Sequence, residues 1–242
     1  MPRFFTQTIN SASGSITGDD ARHIAKVLRM RPGEKLIACN QNGQDYHCTI
    51  ETVDEKQVSL KVEQILPCRA EPTVFVRLYQ AMPKSDKMEL IIQKAVELGV
   101  GEIIPVQTRR CVSKPDAKAM AKKLERYNRI ALEAAKQCGR GIVPVVLPMA
   151  DYAQAIERMA RDNTAMVFYE NSTASFAQCL GQPAKTISIM VGAEGGFEPE
   201  EINSAVNKGI PAVSLGPRIL RCETAPLAAL AVIMYQTGNM NM

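Results

Sequence analysis

Ile189-Met-Val-Gly-Ala-Glu-Gly-Gly-Phe197, running on into Glu198-Pro-Glu-Glu201, is the stretch that decides the fold. An aliphatic run of strand type enters a turn with three glycines in five residues, and a helix start follows. Such a strand–turn–helix unit belongs to α/β layers, where ligands bind at the carboxyl ends of the strands. Gly192, Gly195 and Gly196 let the backbone come close to a ligand. The spacing G-x-x-G-G fits neither phosphate fingerprint, G-x-G-x-x-G or G-x-x-x-x-G-K-[ST]. Glu194, Glu198, Glu200 and Glu201 also crowd the place where a phosphate needs bare N–H groups. Four acids favour a cationic or hydroxylated ligand. The plainer alternative is a tight turn followed by a solvated acidic helix start.

Working outward, the same alternation continues in both directions. Upstream, strands are expected at Val74–Tyr79, Ile103–Val106, Val143–Leu147 and Ala165–Tyr169. Helices are expected between them at Asp86–Leu98 (with Gly99 as C-cap), 117–138, 151–161 and near 173–180. Downstream come a helix from Pro199, strand Ala212–Leu215 and an apolar helix from Thr224 to Gln236. Apolar strands alternating with helices predict an α/β layer with a largely parallel sheet. Before Pro72 the pattern differs. Lys35–Cys39, Tyr46–Ile50 and Val58–Val62 are β-rich runs separated by turn signals. A helix capped by Asp19 or Asp20, with Ile24, Val27 and Leu28 as its apolar stripe, precedes them. Strands at this spacing predict a small barrel or open sheet, with Pro67–Pro72 as a linker.

Composition narrows the class. The 242 residues are 46% hydrophobic and 22% charged, as in an ordinary globular protein. No apolar run approaches the roughly 18 residues of a membrane span. Met1-Pro-Arg-Phe-Phe5 and the polar residues after it lack a signal-peptide core. Seven scattered cysteines with no C-x-x-C pair, and only His23 and His47, signal neither disulfides nor a metal site. The expectation is a cytoplasmic protein without metal or membrane attachment.

Charge placement points to a partner. Arg109 to Arg140 holds ten Lys or Arg against Asp116, Glu125 and Glu133, on a chain whose net charge is +4. Lys122, Arg126, Arg129, Lys136 and Arg140 recur at steps of three, four and seven, so they are expected on one helical face. Leu124, Tyr127, Ala131, Ala134 and Cys138 form the opposite stripe. In the N-terminal part Arg22, Lys26 and Arg29 share a face, close to Arg31. Concentrated positive charge suggests a polyanion, held through phosphate contacts. Two solvated helix faces would look the same.

A second loop stands out: Leu215-Gly-Pro-Arg-Ile-Leu-Arg-Cys-Glu-Thr-Ala-Pro226. Thr224 is placed to cap the last helix and Pro226 suits its first turn. Arg218, Arg221 and Glu223 are not needed for a cap, which makes them candidates for substrate handling.

Together these segments resemble the 16S ribosomal RNA uridine N3-methyltransferases of the SPOUT class. The resemblance is carried by Arg3-Phe-Phe5, His23-Ile-Ala-Lys-Val-Leu-Arg-Met30 and Lys87-Met-Glu-Leu-Ile-Ile-Gln-Lys-Ala-Val-Glu-Leu-Gly99. It continues through Glu133–Arg140, Gly192–Phe197, Leu215–Arg221 and Glu223-Thr-Ala225, nearly the whole chain. Ala193 stands where the family usually has proline, and Cys222 where it often has threonine. The resemblance implies a PUA-like β-barrel over 1–70 that binds RNA, and a SPOUT domain over 71–242 with a trefoil knot. It further implies a homodimer acting on 16S rRNA of the small ribosomal subunit, with S-adenosyl-L-methionine as cofactor.

On this chain the implied cofactor residues are Tyr169, Gly192, Glu194, Gly195, Gly196, Leu215, Gly216, Ile219, Leu220, Thr224 and Ala225. Adenine is expected among Leu215, Ile219 and Leu220. Arg221 is expected to stabilise the uridine anion, while Glu223 or Glu194 takes the N3 proton. Arg3, Arg22, Lys26, Arg29, Arg129, Lys136 and Arg140 are the expected RNA contacts. Two rivals stay open: a nucleotide-dependent enzyme of doubly wound type, and a non-catalytic RNA-binding assembly factor.

Overall fold

Alternating apolar residues over the first seventy positions fold into a curled sheet in the computed structural model, which describes residues 1–181 and 184–241. The strands are β1 (Arg3–Phe5), β2 (Ser13–Thr17), β3 (Lys35–Cys39), β4 (Gln44–Val53) and β5 (Gln57–Pro67). Their order is β1-β3-β4-β5-β2, antiparallel except for β1 beside β3. Leu36, Ala38, Tyr46, Cys48, Ile50, Val58 and Leu60 point to one side and form the core with Phe4 and Ile24. Register shifts at His47/Cys48 and Ile50/Thr52 bend β4 and tighten the curl. The segment after β1 returns to β2, with the Ser15 N–H donating to the Thr8 carbonyl at 2.8 Å.

Three expectations need correction in this unit. Strands β1 and β2 were not visible as periodic runs, because each is too short to show a pattern. The first helix, α1 (Gly18–Arg22), has Thr17 at its N-cap, with Asp19 and Asp20 in the first turn instead. The chain then winds as a π-helical turn over His23–Val27. Wider winding breaks the 3.6-residue spacing, so Ile24 is buried while Val27 and Leu28 are exposed. The supposed linker starts inside structure, since Pro67 ends β5 and Cys68 is buried. Residues Ala135–Val143 also belong to this first unit.

The second unit comprises Pro72–Ala134 and the chain from Pro144. Its elements are β6 (Phe75–Ala81), α2 (Lys87–Glu97), β7 (Glu102–Gln107), α3 (Ala117–Cys138), β8 (Val145–Val146) and β9 (Ala150–Asp151). Then come α4 (Tyr152–Met159), β10 (Thr164–Phe168), α5 (Phe176–Cys179), β11 (Thr186–Val191), α6 (Pro199–Asn207), β12 (Ala212–Val213) and α7 (Ala225–Gln236). The last turn of α3, from Ala135, is part of the first unit. The strands run in the order β12-β10-β11-β6-β7-β8, all parallel, with β9 beside β7. Edge strands β8 and β12 are two residues long, shorter than their apolar runs suggest. One face of the sheet buries Tyr79, Val106, Val167 and Met190 against Ile156 and Met159 of α4 and Ile202 and Ala205 of α6.

Strand order positions the site. The chain leaves β6 toward β7 and β8, then returns to β10 on the other side of β11. A crevice opens at the carboxyl ends where the order reverses. There the loops after β10, β11 and β12 come together.

Candidate active site

These three loops enclose a cavity of about 810 Å³. Tyr169, Gly192, Gly196, Leu215, Gly216, Ile219, Leu220 and Ala225 all line it. Phe168, Phe176, Phe197 and Val191 make much of the wall apolar, as is usual for small-ligand sites. A smaller cavity of about 450 Å³ shares Glu170, Ala193, Gly196, Ile219, Leu220 and Cys222 with it. Lys87, Glu194, Gly195 and Arg221 line that second space. Thr224 lines neither, and its side chain makes no cap hydrogen bond. The start of α7 is held by the Thr224 and Ala225 N–H groups, which donate to the Arg221 carbonyl at 2.8 and 2.9 Å.

The glycine loop is tight for local reasons. Its ends close through the Gly196 N–H donating to the Ala193 carbonyl at 2.9 Å. Gly196 has φ +66°, and a Cβ there would sit 3.1 Å from a Glu170 carboxylate oxygen. Arg110 braces the loop from outside, donating to the Gly195 carbonyl at 3.0 Å and pairing with both Glu198 oxygens. Buried Gln80 at the end of β6 donates to the Gly192 carbonyl at 3.4 Å.

This geometry revises the acidic character of the loop. Glu198 and Glu201 form a reciprocal capping box on α6. Buried Glu201 also accepts the Arg109 N–H at 3.0 Å, and Glu200 lies 3.6 Å from the Arg109 guanidinium. None of the three lines either of these two cavities, and their contacts serve the helix start. The acids that do face the cavities are Glu194 and Glu170. Glu170 was missed by the sequence reading, although it directly follows the strand that ends at Phe168–Tyr169. Among the described residues its carboxylate takes part in no hydrogen bond or ion pair.

Lys87 was likewise missed as a site residue. Its ammonium lies 2.9 Å from Glu194 and 3.3 Å from Glu223, joining α2 to two loops. As the first residue of α2 it sits at the positive end of the helix, an unfavourable place for a cation. The two carboxylates compensate and raise its pKa above the ordinary lysine value, Glu194 contributing most. Burial alone would push Glu194 up, but hydrogen bonds from Lys87 and from the Glu194 and Lys84 N–H groups hold it below the usual carboxylate range. Glu223 behaves alike: burial opposes ionisation, and bonds from the Cys222 thiol, its own N–H and Lys87 win. The buried Cys222 thiol is pushed up to about 12 by burial and by Glu223. Arg221 is exposed beside this network, and among the described residues its guanidinium has no ion-pair partner.

The expected RNA contacts divide by burial. Arg22, Lys26, Arg29 and Arg129 are exposed. Arg3 is partly buried and bidentate to Asp45 at 2.6 and 2.8 Å, with the Cys39 sulfur 2.7 Å away. Arg140 is buried against Glu71, 2.8 Å at its closest, and lies beyond the end of α3 after Gly139. Both guanidiniums are engaged in ion pairs within the fold, which leaves Arg3 and Arg140 less available to a polyanion than the four exposed cations. Lys136 is partly buried and pairs with Asp20 at 2.9 Å. Helical spacing shows which residues share a face, but not which face the fold covers.

Comparison with known proteins agrees with this architecture. The model described as "RNA methyltransferase domain" matches residues 69–234, and "RNA methyltransferase PUA domain" matches residues 16–63. The chain is 38% identical over 249 residues to Ribosomal RNA small subunit methyltransferase E of Bacillus subtilis (strain 168), covering 98% of this chain and 97% of that protein. Its namesake in Mycobacterium tuberculosis (strain CDC 1551 / Oshkosh) is 30% identical over 245 residues, covering 98% and 92%. Among solved structures, Ribosomal RNA small subunit methyltransferase E from Neisseria gonorrhoeae bound to S-adenosyl methionine superposes with a TM-score of 0.87. It is 33% identical, with 97% of each chain covered. A parallel α/β domain with a strand-end cavity, preceded by a curled PUA-type sheet, therefore places this chain in the RNA methyltransferase family.

Proposed function

We propose that this protein transfers a methyl group from S-adenosyl-L-methionine to N3 of one uridine in 16S rRNA of the small ribosomal subunit, in the cytoplasm. One observation carries the reading: an apolar strand-end cavity opens onto a Lys87-bridged carboxylate pair with a freely exposed Arg221 beside it. The cofactor fits what the residues offer. Leu215, Ile219 and Leu220 provide an apolar seat for adenine. Glu170, at the cavity wall with no ion-pair partner among the described residues, suits a ligand that carries two cationic centres. The cofactor, when bound, supplies a methyl group made electrophilic by its sulfonium.

Arg221 is assigned to the negative charge that appears on the uridine when its imide proton leaves. Glu223 and Glu194 are the nearby carboxylates. Both are held below the usual carboxylate range, Glu194 chiefly by Lys87 and Glu223 chiefly by the Cys222 thiol, and are therefore weak proton acceptors. Charge stabilisation by Arg221, together with alignment of N3 in the site, consequently carries more of the rate than general-base catalysis.

Residues 1–70 are assigned to RNA binding and 71–242 to catalysis, with Arg22, Lys26, Arg29, Arg129 and the partly covered Lys136 as RNA contacts. Convergence of the 214–224 segment with the loops after β10 and β11 is the arrangement that a trefoil knot would need. A homodimer is supported by α7, apolar nearly all round, which leaves Val232 and Tyr235 exposed. Sedimentation of the purified protein tests that point directly.

The decisive assay incubates the protein with methyl-labelled cofactor and small subunits from cells lacking this modification, then identifies the labelled nucleoside by mass spectrometry. Label in 3-methyluridine at one site is expected, with a fall of about 10²- to 10³-fold for Arg221→Ala. Label in another nucleoside, or full activity of Arg221→Ala, would refute the chemistry proposed.

A further inference from the structure

The tip of the π-helical turn carries a combination that packing does not explain. Val27 is 67% exposed and Leu28 41% exposed, side by side in space and sequence. Arg22, Lys26, Arg29 and Arg31 flank them along the chain and are exposed too. Acidic neighbours are engaged at the surface: Arg22 lies 3.8 Å from Asp19, Lys26 lies 2.8 Å from Glu55, and the Glu34 carboxylate accepts the Arg31 backbone N–H at 2.6 Å, leaving the Arg31 guanidinium outward. Exposed pairs of this kind give way readily to a competing phosphate.

The backbone of the tip is strained where it is least expected. Arg29 has φ +51°, in the left-handed region that favours glycine. It occupies the position after a helix end at which glycine is normal, and the Met30 N–H reaches back to the Ile24 carbonyl at 3.1 Å. Glycine would relieve the strain but remove the guanidinium. Non-glycine residues kept in this region cluster at functional sites. The tip is also fixed in place: Ile24 is fully buried below it, and the Gly33 N–H donates to the Ile50 carbonyl at 2.8 Å. Two rigidly presented aliphatic side chains flanked by cations match one kind of partner, a nucleic-acid strand. The cations hold phosphates while the aliphatic pair enters between bases.

We propose that Val27 and Leu28 form an apolar wedge that unstacks bases of the RNA substrate, with Arg29 held in its strained conformation to clamp the adjoining phosphate. This rests on the RNA-binding role proposed above, and the experiment separates the two. Binding of unmodified small-subunit rRNA transcript and of whole small subunits is measured over a salt series. Chemical probing of the RNA then reports unstacked nucleotides. The double variant Val27→Ser, Leu28→Ser should bind about 10-fold more weakly with an unchanged salt slope, and its unstacking footprint should vanish. Arg29→Gly should melt no lower than the native protein, yet bind more weakly with a slope reduced by about 0.7 to 1. Native protein that binds neither RNA would overturn the RNA role itself. Native binding with an unaltered double variant would overturn the wedge alone. Loss of binding by that variant on whole subunits, with no binding of transcript by either protein, would show that the pair docks on a ribosomal protein and also sink the proposal.

Discussion

At the scale of single residues, Lys87 governs the electrostatics of the site. Glu194 and Glu223 titrate below the usual carboxylate range, so both stay ionised from neutrality down through the ordinary carboxylate values. Their contribution is present above the unfolded-state pKa and is lost only as pH falls through the lower folded value. Cofactor affinity should therefore be flat down to about pH 5. In Lys87→Met, burial is opposed only by the backbone N–H groups and the Cys222 thiol, so both carboxylates should move up and an acid limb should emerge near about pH 4–5 in calorimetric titrations. The same depressed values predict that kcat rises steadily between about pH 6 and about pH 9, without a glutamate plateau. Gly196 makes a second residue-scale case. Adding a methyl group at φ +66°, 3.1 Å from Glu170, should cost about 1–2 kcal/mol and weaken cofactor binding. Unchanged melting and affinity in Gly196→Ala would show that the loop is looser than its geometry implies.

At the scale of elements, one helix start ties the glycine loop to the rest of the sheet. Glu201 accepts the Glu198 N–H at 2.9 Å and the Arg109 N–H at 3.0 Å while being nearly fully buried. Glu198 closes the box and also receives Arg110, which grips the Gly195 carbonyl. Glu201→Ala removes a cap and leaves two part-buried backbone donors unmatched, so a loss of about 1–2 kcal/mol is expected in chemical denaturation. The variant should also raise KM for cofactor, because α6 and the glycine loop share these bonds. The acidic run that looked like ligand chemistry is thus mostly helix capping. A capping box and a ligand-facing acid have the same residue types, and only the partners distinguish them.

At the scale of the whole molecule, long-range ion pairs secure segments far apart in sequence. Arg3 and Asp45 lock the chain start to β4, and Arg140 brings the 135–143 segment to Glu71. Burial works against the Asp45 carboxylate, but the Arg3 hydrogen bonds and charge hold its pKa down. Its stabilisation is thus present above the unfolded value of about 3.9 and disappears in acid below it. Arg3→Ala leaves a buried carboxylate unpaired, and a loss of about 3–5 kcal/mol is expected, with the acid transition moved upward in pH. Thermal melts across pH would check both. An unshifted acid transition would mean that Asp45 finds another partner.

The amino-acid sequence by itself determined the α/β alternation, the limits of α3, the start of α6, and the two glycine loops of the cavity. These depend on local periodicity and turn chemistry, which a single segment carries. Tertiary structure alone decided which charges are covered and paired, as with Arg3 and Arg140. It also brought Lys87 between Glu194 and Glu223, and turned Val27 and Leu28 outward through π-helical winding. Each of these depends on partners distant in sequence or on a departure from regular winding. Neither leaves a periodic trace along the chain, because burial and pairing are properties of the packed whole.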